Sequence, residues 1–172
     1  MRLPAIEDLN RSSESQFGLA LRPLFEAAPS LLRALYVRRP FTSYEHVIDA
    51  AESVASFMSP EDQRNLLSAH PRIGANPAEI SALSHREQGY DAEASLQRAE
   101  LERVYARLEE LNRQYEEHFG FRFVVFVNKR PKSQIVEVLE ERLNNAPDAE
   151  LRSGLRDMFL IARDRLASLQ PA

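Results

Sequence analysis

The stretch His70-Pro71-Arg72-Ile73-Gly74, followed after a short gap by Ser84-His85-Arg86-Glu87-Gln88, carries the residue types of a small reaction site. It gathers an imidazole, a carboxylate, a hydroxyl and an amide around one helix-breaking bend, where the backbone can turn them toward a common ligand. An imidazole titrates near pH 6.5, so a modest change of surroundings lets His70 give or take a proton at cellular pH. Pro71 supplies a rigid turn and Gly74 a permissive one, and together they can hold backbone N–H groups open. The chemistry implied is proton transfer.

Each of these residues also has a purely structural reading. A histidine ahead of a proline can cap the carbonyls at a helix end. Ser84 and Glu87 stand at the spacing of a capping box, and Gln88 can simply face solvent. Arg72 reads as an anion contact or as a solvated side chain. Arg142, late in its helix, suits the negative end of the helix dipole. None of the histidines 46, 70, 85 and 118 lies three to five residues from another, so no helical His-Glu-x-x-His zinc site is present and no metal is expected. The 5 glycines form no phosphate loop, dinucleotide fingerprint or nucleophile elbow, so no organic cofactor is expected.

The elements that must position these residues are helical wherever a period is visible. After the polar run Asn10-Arg11-Ser12-Ser13, the positions Phe17, Leu19, Ala20, Leu21, Leu24 and Phe25 fit a helix broken or bent by Pro23. Ser30 opens a short helix that stops at Pro40. Ser43 is an N-cap candidate for a stripe of Val47, Ile48, Ala51, Val54, Ala55 and Met58. Ser59-Pro60 starts another helix, which must end at or before His70 because Pro71 disfavours helical geometry in the residue ahead of it. A long helix is expected from Asp91 to about His118, closed by Gly120. Phe121 to Val127 is the single strand-like run, too solitary for a sheet, and reads as an extended buried connector. Lys132 to Leu143 and a last helix from Asp148 complete an all-α fold of about eight helices, expected as one domain over residues 1–172.

Composition narrows the function classes. At 172 residues, 44% hydrophobic and 28% charged, the chain can bury a core without staples and lacks the signature of disorder. A net charge of −4 argues against a general nucleic-acid binder, and Lys129-Arg130-Pro131-Lys132 reads as a solvated loop. The absence of cysteine removes disulfides and thiolate chemistry. No apolar run approaches the ~18 residues of a membrane span, and no targeting signal is visible at either end, so a cytoplasmic location is the expectation.

Four ordered motifs then carry a resemblance. His70-Pro71-x-Ile73-Gly74, Ser84-x-x-Glu87-Gln88, Phe119-Gly120-Phe121-x-Phe123-Val124 and Arg142-x-Asn144, in this order and at these distances, closely resemble the 2-oxo-4-hydroxy-4-carboxy-5-ureidoimidazoline (OHCU) decarboxylases. The resemblance runs from about Ser13 to Leu169 and includes Arg39-Pro40-Phe41. The family often has an acidic residue and a leucine where this chain has Arg72-Ile73. What the resemblance implies is an all-helical, cofactor-free, usually dimeric enzyme of urate breakdown that converts OHCU to (S)-allantoin and carbon dioxide.

The resemblance also implies roles. His70 is the acid/base near the departing carboxylate and the 4-hydroxyl, and Glu87 accepts hydrogen bonds from ring or ureido N–H groups. Ser84 and Gln88 complete the polar frame, and Arg142 pairs with an anionic or carbonyl oxygen of the substrate. Pro71 and Phe121 shape the walls, while backbone groups of Phe123, Val124 and Val125 bind the ureido arm. The substrate holds its own electron sink, a ring C=N beside the carbon bearing the carboxylate. The alternatives from other classes are a helical interaction module built on the long charged helix, and a related ureide-processing lyase or hydrolase.

Overall fold

Eight helices make up the regular structure of the computed structural model among its described residues, which are 2–26, 28–75, 88 and 98–169. In chain order they are α1 (Ile6–Arg11), α2 (Glu14–Phe25), α3 (Pro29–Tyr36), α4 (Tyr44–Phe57), α5 (Pro60–Ser68), α6 (Arg98–Phe119), α7 (Lys132–Arg142) and α8 (Pro147–Ser168). No β-strand occurs among the described residues, and no helix there is long and apolar enough to cross a membrane.

Serine caps set three of the starts. The hydroxyls of Ser13, Ser43 and Ser59 accept from the backbone N–H of Gln16, His46 and Asp62, which satisfies donors that the first helical turn leaves without partners. Ser13 and Gln16 form a full capping box. The polar run ahead of it is more ordered than its composition implies. Asn10 and Arg11 belong to α1, and the Asn10 amide brackets Phe41, donating to its carbonyl at 2.8 Å and accepting from its N–H at 2.8 Å.

Pro23 does not break α2. It removes one backbone donor only two residues before the helix ends, and the burial of Leu24 and Phe25 holds the last turn in place. The third helix begins at Pro29, one residue before Ser30, and stops at Tyr36, well short of Pro40. Pro147, in the first turn of α8, moves that start one residue ahead of Asp148. The expected N-cap Asp91 lies outside the described residues.

The core is layered around α8, which packs against α2, α4 and α5, while α6 packs against α7. Between α6 and α7 runs the connector 121–127, extended and without strand partners, with Phe121, Phe123, Val124, Val125 and Val127 buried. Tyr115 on α6 anchors it through ring contacts to Phe121 at 5.7 Å and Phe123 at 5.2 Å, the edge-on geometry that aromatic quadrupoles favour. At the α5–α8 crossing Gly154 meets Leu67, so the two helices approach closely there.

Candidate active site

His70 follows directly on the end of α5, where Ala69 caps the helix and the His70 N–H closes a last turn onto the Leu67 carbonyl at 3.1 Å. The expectation of a helix-exit histidine holds. The side chain, however, caps nothing: it is 4% exposed, and neither ring nitrogen has a hydrogen-bond partner among the described residues. A buried imidazole left in that condition is costly in a purely structural role and useful in a site that binds a polar ligand.

Burial lowers the proton affinity of the ring, and the Arg165 guanidinium lowers it further. Glu26 opposes them, as does the Leu66 carbonyl, which lies near the ring without closing a hydrogen bond, and Arg122 adds a smaller downward push. The outcome is a pKa of about 4, so His70 is neutral at cellular pH. A neutral imidazole offers one acceptor and one donor nitrogen.

The turn after His70 is pinned from three directions. Gly74 has φ +78°, and a β-carbon there would lie 3.2 Å from the Leu108 Cδ1, so both backbone and space call for glycine. Asn112 on α6 donates to the Ile73 carbonyl at 3.0 Å, and Arg72 forms a two-pronged pair with Glu116 at 2.6 Å per arm. Arg72 is thereby tied to α6. Arg122 donates to the His70 carbonyl at 2.8 Å, joining the connector to the same turn.

Gln88 is buried against the Arg72–Gly74 part of this turn. Its Oε1 accepts from the Gly74 N–H at 2.9 Å and its Nε2 donates to the Arg72 carbonyl at 3.3 Å, while its own carbonyl accepts from the buried Lys132 ammonium at 3.1 Å. The solvent-facing reading of Gln88 does not hold. Ser84 and Glu87 lie outside the described residues.

Arg142 is engaged with groups of the chain itself. Its guanidinium pairs with Glu150 at 2.6 Å and with Asp157 at 3.2 Å, donates to the Val124 carbonyl at 3.0 Å, and lies over the Phe123 ring. Tyr115 donates to the same Glu150 carboxylate, and Asn145 does so at 2.8 Å. Burial and the carboxylate together push the Tyr115 phenol upward, so it stays protonated and donating. Asp157 also accepts from the Phe126 N–H at 3.3 Å. This network braces the connector, whose backbone has no ladder to satisfy it. Arg142 and Val125 also line a cavity of about 440 Å³ together with Arg156, Asp157 and Leu160, of which His70 and Gln88 are not part.

Three charged residues near His70 escaped the sequence reading. Arg165 is 2% exposed, pairs with Glu26 at 2.8 Å and donates to the Pro23 carbonyl at 3.2 Å. Its signal was available: it occupies a core-facing slot in the α8 series Leu151, Leu155, Met158, Ala162, Leu169, where an arginine is out of place unless paired. Glu26 and Arg122 gave no such signal. Among the described residues no group of three or more His, Asp and Glu side chains is arranged to hold a metal ion.

Comparison with known proteins shows what the chain is similar to. The solved structure of an OHCU decarboxylase in the presence of (S)-allantoin shares the fold with a TM-score of 0.68 at 23% identity, covering 91% of this chain and 97% of that one. The 2-oxo-4-hydroxy-4-carboxy-5-ureidoimidazoline decarboxylase of Haloferax volcanii is 30% identical over 162 residues, 94% of each chain. The decarboxylase of the same description from Mus musculus is 27% identical, over 85% of this chain and 82% of its own. A uric acid degradation bifunctional protein of Bacillus subtilis is 28% identical over 95% of this chain, which spans 32% of that longer protein. The sequence profile of the OHCU decarboxylases matches residues 10–167, and the chain belongs to that family.

Proposed function

We propose that this chain catalyses the cofactor-free decarboxylation of OHCU to (S)-allantoin and carbon dioxide, a carbon–carbon lyase reaction of urate breakdown. The observation that carries this reading is His70: buried, neutral, with both ring nitrogens unpartnered among the described residues, and standing in the field of Arg165 and Arg122. Family membership supplies the substrate.

The chemistry follows from a neutral imidazole beside a cation. The substrate carboxylate is held by the Arg165 guanidinium, and the bond from the ring carbon to the carboxylate breaks with its electron pair moving into the neighbouring C=N. Carbon dioxide leaves, the ring nitrogen takes a proton from water, and an enol remains. His70 accepts the 4-hydroxyl proton as that oxygen becomes a carbonyl, and returns a proton to the adjacent carbon on one face, which sets the (S) configuration. A residue that is first base and then acid has to begin neutral, as His70 does.

The remaining roles concern placement. Glu87 accepts from substrate N–H groups and Ser84 adds a hydroxyl. Gln88 fixes the turn that carries His70. Pro71 and Phe121 form the walls, and the backbone of Phe123, Val124 and Val125 meets the ureido arm. Arg142 serves this arm by holding the Val124 carbonyl. The same reading has the chain as a cytoplasmic homodimer of single-domain subunits, acting on a small molecule with neither nucleic acid nor membrane as partner. Sedimentation of the purified chain tests the dimer.

Turnover of freshly generated OHCU, followed by circular dichroism of the allantoin formed, tests the activity. Appearance of the (S) enantiomer faster than the spontaneous reaction is the expected result. Racemic allantoin at the background rate would overturn the reading.

A further inference from the structure

We propose that Glu26 is a positioning residue for the decarboxylation, its carboxylate aiming Arg165 at the substrate anion bound beside His70. The proposal rests on the decarboxylase reading above and extends it to a residue outside the family-like motifs.

The backbone gives the first reason. Glu26 caps the end of α2 with φ 56° and ψ −154°, a region that side-chain-bearing residues rarely enter and that glycine adopts without strain. Helix ends that need a positive φ normally place glycine or asparagine there. A glutamate retained in this conformation implies that its side chain does something glycine cannot.

The second reason is the partner. Arg165 reaches the same helix end twice, pairing with the Glu26 carboxylate at 2.8 Å and donating to the Pro23 carbonyl at 3.2 Å. A planar guanidinium gripped at two points by one short segment has its plane and direction set. It is also buried, so without a counter-charge it would be expensive to keep there before substrate arrives.

The third reason is position. Arg165 from α8, Glu26 from the end of α2 and Arg122 from the connector are the charged groups among the described residues that act on His70, and the first two act in opposite senses. The ion pair and the imidazole therefore share one local field. An ion pair that merely tied α2 to α8 would have no need to lie there.

The test compares the full-length wild type with Glu26→Gly and Glu26→Gln on fresh OHCU, with circular dichroism confirming the fold. Glycine relieves the backbone and removes the carboxylate, so it separates the two roles. Both variants are expected to raise KM about tenfold or more while kcat changes far less, as loss of ground-state anion binding requires. The acid limb of the kcat/KM profile should move to lower pH, because Glu26 holds the proton affinity of His70 up. A folded Glu26→Gly enzyme with wild-type KM and an unmoved acid limb overturns the proposal. If neither variant folds, Glu26→Asp decides: a carboxylate one methylene shorter raises KM if aim is what matters, and an unchanged KM overturns the proposal. An inactive wild type takes down the decarboxylase reading as well, whereas an active wild type with indifferent variants removes the positioning role alone.

Discussion

A β-carbon on Gly154 would stand 2.7 Å from the Leu67 Cδ1, closer than packed carbons tolerate. Leu67 is fully buried three residues before His70, and Gly154 belongs to the helix that carries Arg165, so the contact packs the helix leading to the imidazole against the helix bearing the guanidinium. Gly154→Ala gains up to ~1 kcal/mol of helix propensity but overpacks the crossing at about 1–3 kcal/mol. A net loss of about 1 kcal/mol in urea unfolding is expected, with reduced turnover. Unchanged stability and turnover would mean that Leu67 rotates away freely.

His70→Asn is close in size and cannot titrate. Positioned acid/base groups typically contribute ~100- to 10,000-fold, and a loss in that range is expected in kcat. The fold should be retained, because among the described residues the ring makes no hydrogen bond that asparagine would forfeit. Near-wild-type turnover would return His70 to a helix-end role.

The pKa of His70 predicts a pH signature. It stands near 4 in the folded chain and near 6.5 when unfolded, so between those values the unfolded state binds more protons. Stability from this group is fully present above about 6.5, falls as the pH drops toward 4, and is level below that. The full swing is on the order of 3 kcal/mol at 1.36 kcal/mol per pKa unit. Urea midpoints at pH 7 and pH 4 for wild type and His70→Asn should differ by less in the variant. Equal pH slopes would show that His70 titrates normally.

Glu87→Gln separates a substrate contact from a cap. Glutamine serves a capping box as well as glutamate, so a capping Glu87 would tolerate the change. A carboxylate that accepts from two substrate N–H groups would instead be replaced by an amide presenting a donor to a donor, a mismatch of roughly 1–3 kcal/mol. Activity about 10-fold lower, by the tenfold-per-1.4 kcal/mol rule, with thermal stability nearly unchanged, is expected. Normal kinetics would leave Glu87 as a cap.

Arg142→Met removes the cation that Glu150 and Asp157 share while keeping a similar stem. Leaving buried carboxylates without their partner typically costs about 3–5 kcal/mol, and a loss of that size is expected in urea unfolding. A change below about 1 kcal/mol would place water or another group at Glu150.

The helices were legible because their signals are local. Ser43 and Ser59 announced caps, Pro71 announced the helix exit at His70, and spacings of three and four residues marked the buried faces. Pro23 does not break its helix, since a missing donor near a helix end costs little when Leu24 and Phe25 are buried beyond it. Arg142 was read as meeting an anionic or carbonyl oxygen of the substrate, and the oxygens it meets within the chain belong to Glu150, Asp157 and Val124. Pairing across 8 and 15 residues depends on how α7 and α8 cross, which no local pattern encodes. Glu26 was silent for a similar reason, because its positive φ follows from tertiary packing.

The connector between α6 and α7 has no neighbouring strand, so its order is borrowed from side chains. Arg142 holds the Val124 carbonyl, Asp157 the Phe126 N–H, and Arg130 the carbonyls of Phe126 and Val127. The Phe126 amide hydrogen, held by a carboxylate of α8, is expected to exchange with solvent only when that contact opens. Tied through Val124 to α7 and through Phe126 to α8, a peptide stretch with the conformation of a loop is expected to open together with those two helices.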